Sequence, residues 1–428
     1  MKSRAMDGAG MIAYSSGMTH DTLLDAYARL TIRSGLNLQS GQQLLITAPL
    51  DAVPLVRRIT EHAYRAGASL VTTFYNDDPA TLARYRHAPD TSFDVAPDWL
   101  FNGMAEAFRG GAARLAIAGD DPGLLAGQDP QKLSRANKAR SIAYRPALEL
   151  ITGFAINWCV IAAATPAWAR SVFPDLPEGE AVSKLWQAIF SCTRADLPDP
   201  VAAWEDHSAV LARRTAFLND RRYAALKYTG PGTDLTLGLA DDHVWKGGAG
   251  KARNGVVCNA NIPTEEVFTC PHKDRVDGTV RSTKPLSYQG SMIDGINVRF
   301  EKGRIVEMTA ARGEDAFRSL IATDEGAARL GEVALVPHSS PISRSGIIFN
   351  NTLFDENAAS HLAVGQSYSE NIRDGGSRSA EAKAALGANS SLVHVDWMIG
   401  SGELDIDGIR ADGTAEPLMR KGEWVIGA

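Results

Sequence analysis

Strand and helix signals alternate along the first half of this chain, and that alternation leaves few architectures open. Residues 22–34 carry apolar side chains at helical spacing (Leu23, Leu24, Tyr27 and Leu30) behind the polar cap candidates Thr19 and Asp21. Gly41-Gln42-Gln43 then leads into Leu44-Leu45-Ile46-Thr47, a short apolar run that suits a buried strand. Residues 51–66 read as a helix, with Pro54 near its start and Gly67 where a capping glycine would stop it. A strand at 70–74, a helix at 99–109 and a strand at 114–118 continue the pattern, and 179–190 and 200–218 read as further helices. Strands separated by helices need crossover connections, so this half is expected to be an α/β domain with a mostly parallel sheet.

Past about residue 220 the texture changes. Residues 224–229 and 234–239 are strand-like around Gly230-Pro231-Gly232, and 297–301 and 304–309 flank Lys302-Gly303, a hairpin signal. Helices are expected at 317–328 and near 357–364. A length of 428 residues also exceeds what one compact core usually holds. The reading is an N-terminal α/β domain over 1–220 and a β-rich α+β domain over 221–428.

Charge and composition exclude several classes of partner. The net charge of −6 lacks the basic excess of a nucleic-acid footprint. The most apolar stretch, 154–168, is broken by Asn157, Thr165 and Pro166 and falls short of a membrane span. Cys159, Cys192, Cys258 and Cys270 show no CxxC spacing and read as reduced thiols of a cytoplasmic protein. Residues 1–17 lack the apolar core of a signal peptide and read as a disordered leader or an upstream start, ahead of Met18-Thr19-His20-Asp21.

Familiar catalytic signatures fail. In Gly248-Ala249-Gly250-Lys251-Ala252 an alanine replaces the magnesium-holding hydroxyl of a phosphate loop, and Trp245 stands where its first glycine belongs. Neither Ser343 nor Ser345 sits in a GxSxG elbow, and HExxH is absent. What remains is a set of metal-type residues in the second half. Leu392-Val393-His394-Val395-Asp396-Trp397-Met398-Ile399 reads as a strand, whose period of two puts His394 and Asp396 on one face. Glu332 leads the apolar run Val333-Ala334-Leu335-Val336, and Glu265 and Glu266 must face apart if their stretch is extended. Asp355-Glu356 opens the helix expected to carry His361, and Tyr368, seven residues on, would share its face. His272 and His338 read as structural hydrogen-bonding partners, Cys270 as a buried inert thiol and Trp397 as core packing.

Four segments together resemble the thermophilic aminopeptidase family, the aminopeptidase T and S type of dinuclear metallopeptidase. They are Asn261-Ile262-Pro263-Thr264-Glu265-Glu266-Val267-Phe268-Thr269, Gly331-Glu332-Val333-Ala334-Leu335-Val336, Asn351-Thr352-Leu353-Phe354-Asp355-Glu356-Asn357-Ala358-Ala359-Ser360-His361-Leu362-Ala363, and His394-Val395-Asp396. They come in the family's order, and the likeness extends through residues 41–74. It implies that Glu266, Glu332, His361, His394 and Asp396 are metal ligands, with Glu332 bridging. By the same resemblance Tyr368 is a ligand or an oxyanion donor, and Glu356 a ligand or the general base. A helix through both Glu356 and His361 sets them roughly 140° apart, so both converge only if the helix starts after Glu356. The interval between His361 and His394 is longer than the family's, with a Gly-, Ser- and Ala-rich insertion at 374–389, and residues 90–220 match less clearly.

The resemblance further implies a homodimer that takes peptides with a free N-terminus and uses two divalent ions, zinc foremost, with cobalt, manganese or magnesium as substitutes. Two other readings stay open here. His361, His394 and Asp396 alone make the three-ligand site of a mononuclear non-haem iron ring-cleaving dioxygenase. A binding protein with structural acidic residues needs no metal at all.

Overall fold

The computed structural model describes residues 18–288 and 291–426; the leader expected at 1–17 lies outside them. The first half builds a parallel sheet from β1 (Gln43–Pro49), β2 (Leu70–Asn76), β3 (Ala113–Ala118) and β4 (Trp158–Ala162), in the order β2-β1-β3-β4. Its helices begin where capping chemistry places them. Thr19 accepts from the Thr22 N–H at 3.2 Å to start His20–Leu30, and Pro54 sits in the first turn of Val53–Arg65. Leu55, Val56, Ile59 and Ala63 then recur at helical spacing and bury one stripe against the sheet core. The α/β architecture is as the sequence implies. In this half the helices Asp78–His87, Pro130–Thr152 and Pro166–Val172, and β4 within the most apolar stretch, escaped the sequence reading.

The second half is strand-rich. A mixed-length antiparallel sheet runs in the order Arg304–Thr309, Asn297–Glu301, Pro271–Arg281, Thr233–Leu239, Ala225–Gly230, Asp405–Ile409, Ala415–Arg420 and Glu423–Trp424. The expected hairpin at Lys302-Gly303 is present, with both residues at positive φ (47° and 79°). A side chain at 303 would put its Cβ 1.8 Å from the Lys273 carbonyl oxygen, so only glycine fits that turn.

A second, smaller sheet matters most for function. It comprises β5 (Val267–Thr269), β6 (Leu330–Leu335), β7 (His361–Gly365) and β8 (His394–Met398), antiparallel in the order β8-β7-β6-β5. Every residue of β6 and β7 is buried. Here the sequence reading needs correction: 357–364 is not a helix. The helix Thr352–Asp355 and a single 3-10 turn, Glu356–Ala358, end before His361 starts β7. The helix expected at 317–328 is also shorter, Glu314–Ile321.

Two large hydrophobic clusters dominate the described residues. One gathers the parallel sheet and its helices together with Ile262, Ile342, Phe349, Leu353, Phe354 and Ala358 from the later chain. The other fills the space beneath the strand-rich part, around Tyr228, Trp245, Phe300, Phe317 and Trp397. No helix of the described residues is long and apolar enough to cross a membrane.

Candidate metal centre

The small sheet brings the sequence-selected residues together from four places in the chain. Glu266 stands immediately before β5, Glu332 on β6, His361 on β7, and His394 and Asp396 on β8. Pairing of Ala363 with both Glu332 and Asp396 aligns these carboxylates across the sheet. A register shift between Leu330 and Glu332 turns the glutamate inward, and Gly331 permits it: a Cβ there would lie 2.4 Å from the carbonyl oxygens of Gly365 and Gln366.

Their donor atoms form two groups, Glu266–Glu332–His361 and Glu332–His394–Asp396, each with one ligand atom per residue within 4.8 Å of the others. Glu332 belongs to both. His361 Nε2 lies 3.2 Å from Glu266 Oε2 and 3.6 Å from Glu332 Oε1, and His394 Nε2 lies 3.9 Å from Glu332 Oε2 and 3.5 Å from Asp396 Oδ1. The far nitrogens are fixed by backbone: His361 Nδ1 donates to the Ala359 carbonyl at 3.1 Å and His394 Nδ1 to that of Gln366 at 2.7 Å. Those bonds orient both rings and aim Nε2 into the cluster, as imidazole ligands require. Glu266 Oε2 and Asp396 Oδ1 are buried with no well-aligned hydrogen-bond donor, facing only the Nε2 atoms of His361 and His394. Such orphaned oxygens are costly in an apolar interior, and a cation satisfies them. The donor set therefore fits divalent metal.

The electrostatics say the same. Burial, then the charges of Asp396 and Glu266, push Glu332 up to about 7 against the lowering effect of the two histidines. Burial and the nearby carboxylates hold Glu356 well above the usual range. Burial would lower both imidazoles, but the carboxylates overcome it, raising His361 strongly and His394 to about 9. Asp396 is driven down instead, because the histidine contacts outweigh its burial. Protons on the imidazoles thus offset part of the carboxylate charge, and divalent cations would displace them and offset more of it.

Glu356 and Tyr368 reach the pocket by routes the sequence did not suggest. Glu356 sits on the 3-10 turn, so the angular conflict of a shared helix with His361 does not arise. It stands outside both ligand groups while close enough for Glu266, Asp396 and Glu332 to raise its pKa. Tyr368 lies three residues past β7 rather than two helical turns along a helix, and its ring packs 4.6 Å from that of His394. Tyr368 is 43% exposed as a residue, yet burial around the hydroxyl and then the carboxylates, Glu332 first, push its pKa upward. Cys270 donates its thiol to the Pro271 carbonyl, and burial raises it to about 12. His272 and His338 lie outside both ligand groups.

Other contributors escaped the sequence reading. Asn357 accepts from the Glu265 N–H at 2.7 Å and holds the Leu353 carbonyl at 3.2 Å, tying the turn of Glu356 to the segment of Glu266. Arg194 and His207 meet that segment from the other side. Nothing short-range marks them, since 71 residues separate Arg194 from its partner Glu265.

With this arrangement in place, comparison with known proteins is decisive. The sequence profile of the thermophilic metalloprotease family (M29) matches residues 20–424. The chain belongs to that family. Aminopeptidase T of Thermus thermophilus is 55% identical over 403 residues, 94% of this chain and 98% of that protein. Aminopeptidase 2 of Geobacillus stearothermophilus is 49% identical over 401 residues, 94% of this chain and 97% of that protein. The solved structure of wild-type AmpT from Thermus thermophilus superposes with a TM-score of 0.90 at 54% identity, covering 94% of this chain and 99% of its own. The family match runs through residues 90–220, where the sequence alone had shown it less clearly.

Proposed function

We propose that the pocket bounded by β5–β8 holds two divalent cations bridged by Glu332, and that this centre releases N-terminal residues from peptides. The chain is a metal-dependent aminopeptidase, as its membership of the M29 metallopeptidases and its identity to aminopeptidases imply. Neither the family nor these relatives support the ring-cleaving dioxygenase alternative, which also leaves Glu266 and Glu332 without a task. The observation that carries the dinuclear reading is the sharing of Glu332 between two ligand groups.

Glu266 and His361 would hold one cation, His394 and Asp396 the other, with one Glu332 oxygen toward each. Divalent ions held by these residues would polarise a scissile carbonyl, lower the pKa of a water toward neutrality and offer a position for a free α-amine. Glu356, outside both ligand groups, is assigned as the base that takes the proton of the attacking water and returns it to the leaving amine. Tyr368, beside His394, would donate a hydrogen bond from its hydroxyl to the developing oxyanion and keep its proton. Burial of Glu332 and His361 keeps competing water from these contacts.

Two imidazoles among the donors favour zinc, with cobalt or manganese as substitutes and magnesium least suited. Four free, buried cysteines support a reducing compartment, the cytoplasm, and a homodimer is part of the proposal. The domain boundary near residue 220 is retained in this reading. Metal analysis of the purified protein tests the proposal, together with hydrolysis of an aminoacyl-nitroanilide after chelation and after zinc is restored. Near two ions per chain and recovery of activity are expected; one ion at full activity would overturn the dinuclear assignment.

A further inference from the structure

Glu265 and Glu266 are adjacent, yet their carboxylates serve opposite sides of the segment. Glu266 enters the ligand cluster, while the buried Glu265 meets Arg194 in a paired contact, Nη1 to Oε1 at 2.6 Å and Nη2 to Oε2 at 3.0 Å. Arg194 lies just beyond the helix Glu178–Cys192, with φ at 60°, a left-handed conformation that a non-glycine residue keeps only when its surroundings hold it there. From Nη2 it also donates to His207 Nδ1 at 3.3 Å, and His207 Nε2 donates to the Thr264 carbonyl at 2.7 Å. Trp204 packs against both, its ring 5.5 Å from the guanidinium carbon and 5.3 Å from the imidazole.

These contacts close a ring. It runs from the Glu265 carboxylate through Arg194 and His207 to the Thr264 carbonyl, and back along the chain to Glu265. Burial lowers the pKa of His207, and a neutral ring with Nδ1 accepting and Nε2 donating satisfies both of its contacts. The carbonyl of Thr264 and the N–H of Glu265 belong to one peptide unit. His207 holds its oxygen, and Asn357 holds its N–H at 2.7 Å. A peptide plane pinned at both ends cannot rotate, and the next residue is Glu266. Asn357 directly follows Glu356, so the same plane links the candidate ligand to the candidate base.

We propose that Arg194 and His207 are positioning residues for the metal centre: by fixing the Thr264–Glu265 peptide they set where the Glu266 carboxylate stands, and with it the affinity for the divalent cation. This rests on the reading of Glu266 as a metal ligand. The ring touches no donor atom of the cluster directly; it acts through backbone geometry, as outer contacts around metal sites do.

His207→Phe tests it, because the ring volume is kept and the Arg194–Glu265 pair remains. Three quantities are measured: zinc affinity by competition with a chromophoric chelator, the Tm of the metal-free protein, and kcat and KM on an aminoacyl-nitroanilide. The clamp requires a loss of about 10–100-fold in zinc affinity with a matching fall in kcat, KM within about twofold, and a metal-free Tm close to that of wild type. His207→Gln, which restores a donor toward Thr264, should recover most of the loss. Unchanged zinc affinity in His207→Phe, with or without a lower Tm, would overturn the proposal and leave a purely structural role. Glu266→Gln, measured in parallel, separates the two ideas. If that variant keeps zinc and activity, the ligand assignment fails; if it loses both while His207→Phe does not, only the clamp fails.

Discussion

Replacing Glu332 by glutamine should push cation binding and fold stability in opposite directions. In the metal-free protein burial, followed by the charges of Asp396 and Glu266, raises this carboxyl from 4.5 to about 7. A carboxyl raised on folding contributes stability while protonated, fully below about 4.5, and loses it as pH rises through about 7. At about 1.4 kcal/mol per pH unit, ionised Glu332 costs the metal-free fold about 3 kcal/mol at pH 8. Glutamine never ionises. Metal-free Glu332→Gln should therefore melt several degrees above metal-free wild type near pH 8, and the two should converge near pH 5. Metal binding should move the other way. The amide offers one uncharged donor oxygen where Glu332 faces both histidines, so it cannot bridge. Affinity at one position should fall more than the roughly 100-fold typical of removing an outer contact, and hydrolysis should be lost. Thermal melts of chelated protein from pH 5 to 8.5, with zinc titrations alongside, read both arms. A metal-free variant less stable than wild type at pH 8, or one that binds two zinc ions normally, would refute this reasoning.

Tyr368→Phe removes a donor and keeps the ring beside His394; kcat should drop about 10²–10³-fold with KM little changed and metal content intact. Reduced metal occupancy, partly restored by excess zinc, would identify Tyr368 as a ligand instead. Glu356→Gln should retain both cations and lose kcat by about 10²–10⁴-fold, the usual span for a general base, whereas loss of metal would make Glu356 a ligand. Protons compete with metal for His361 and His394, so activity should fall on the acidic side and recover with added zinc; an acidic limb indifferent to zinc concentration would count against these ligands.

The sequence disclosed the small sheet's chemistry better than its secondary structure. His394 and Asp396 were legible because alternation along a strand is a local property, and β8 obeys it. The segment carrying His361 was misread because Asn357-Ala358-Ala359 has helical composition, and a short apolar run does not reveal whether it is strand or helix. What settles it is pairing with β6 and β8, strands distant in the chain. The facing-apart of Glu265 and Glu266 was readable from extended geometry, but the partners of Glu265 were not. Arg194 carries no local signal that its guanidinium is committed to a residue 71 positions away.

The burial of β6 and β7 along their full lengths also bears on how this enzyme loses activity on heating. Amide protons in such strands exchange with solvent only when the whole surrounding unit opens, so Glu332 and His361 ride on the slowest-opening part of the chain. Glu356 rides on a single 3-10 turn between a four-residue helix and β7, where Leu353, Phe354 and Ala358 are buried in the core of the first half and the side chains of Asp355 and Asn357 add hydrogen bonds. Hydrogen exchange should therefore find β6 and β7 among the most protected segments of the chain, so that loss of the candidate ligands Glu332 and His361 accompanies global unfolding rather than preceding it.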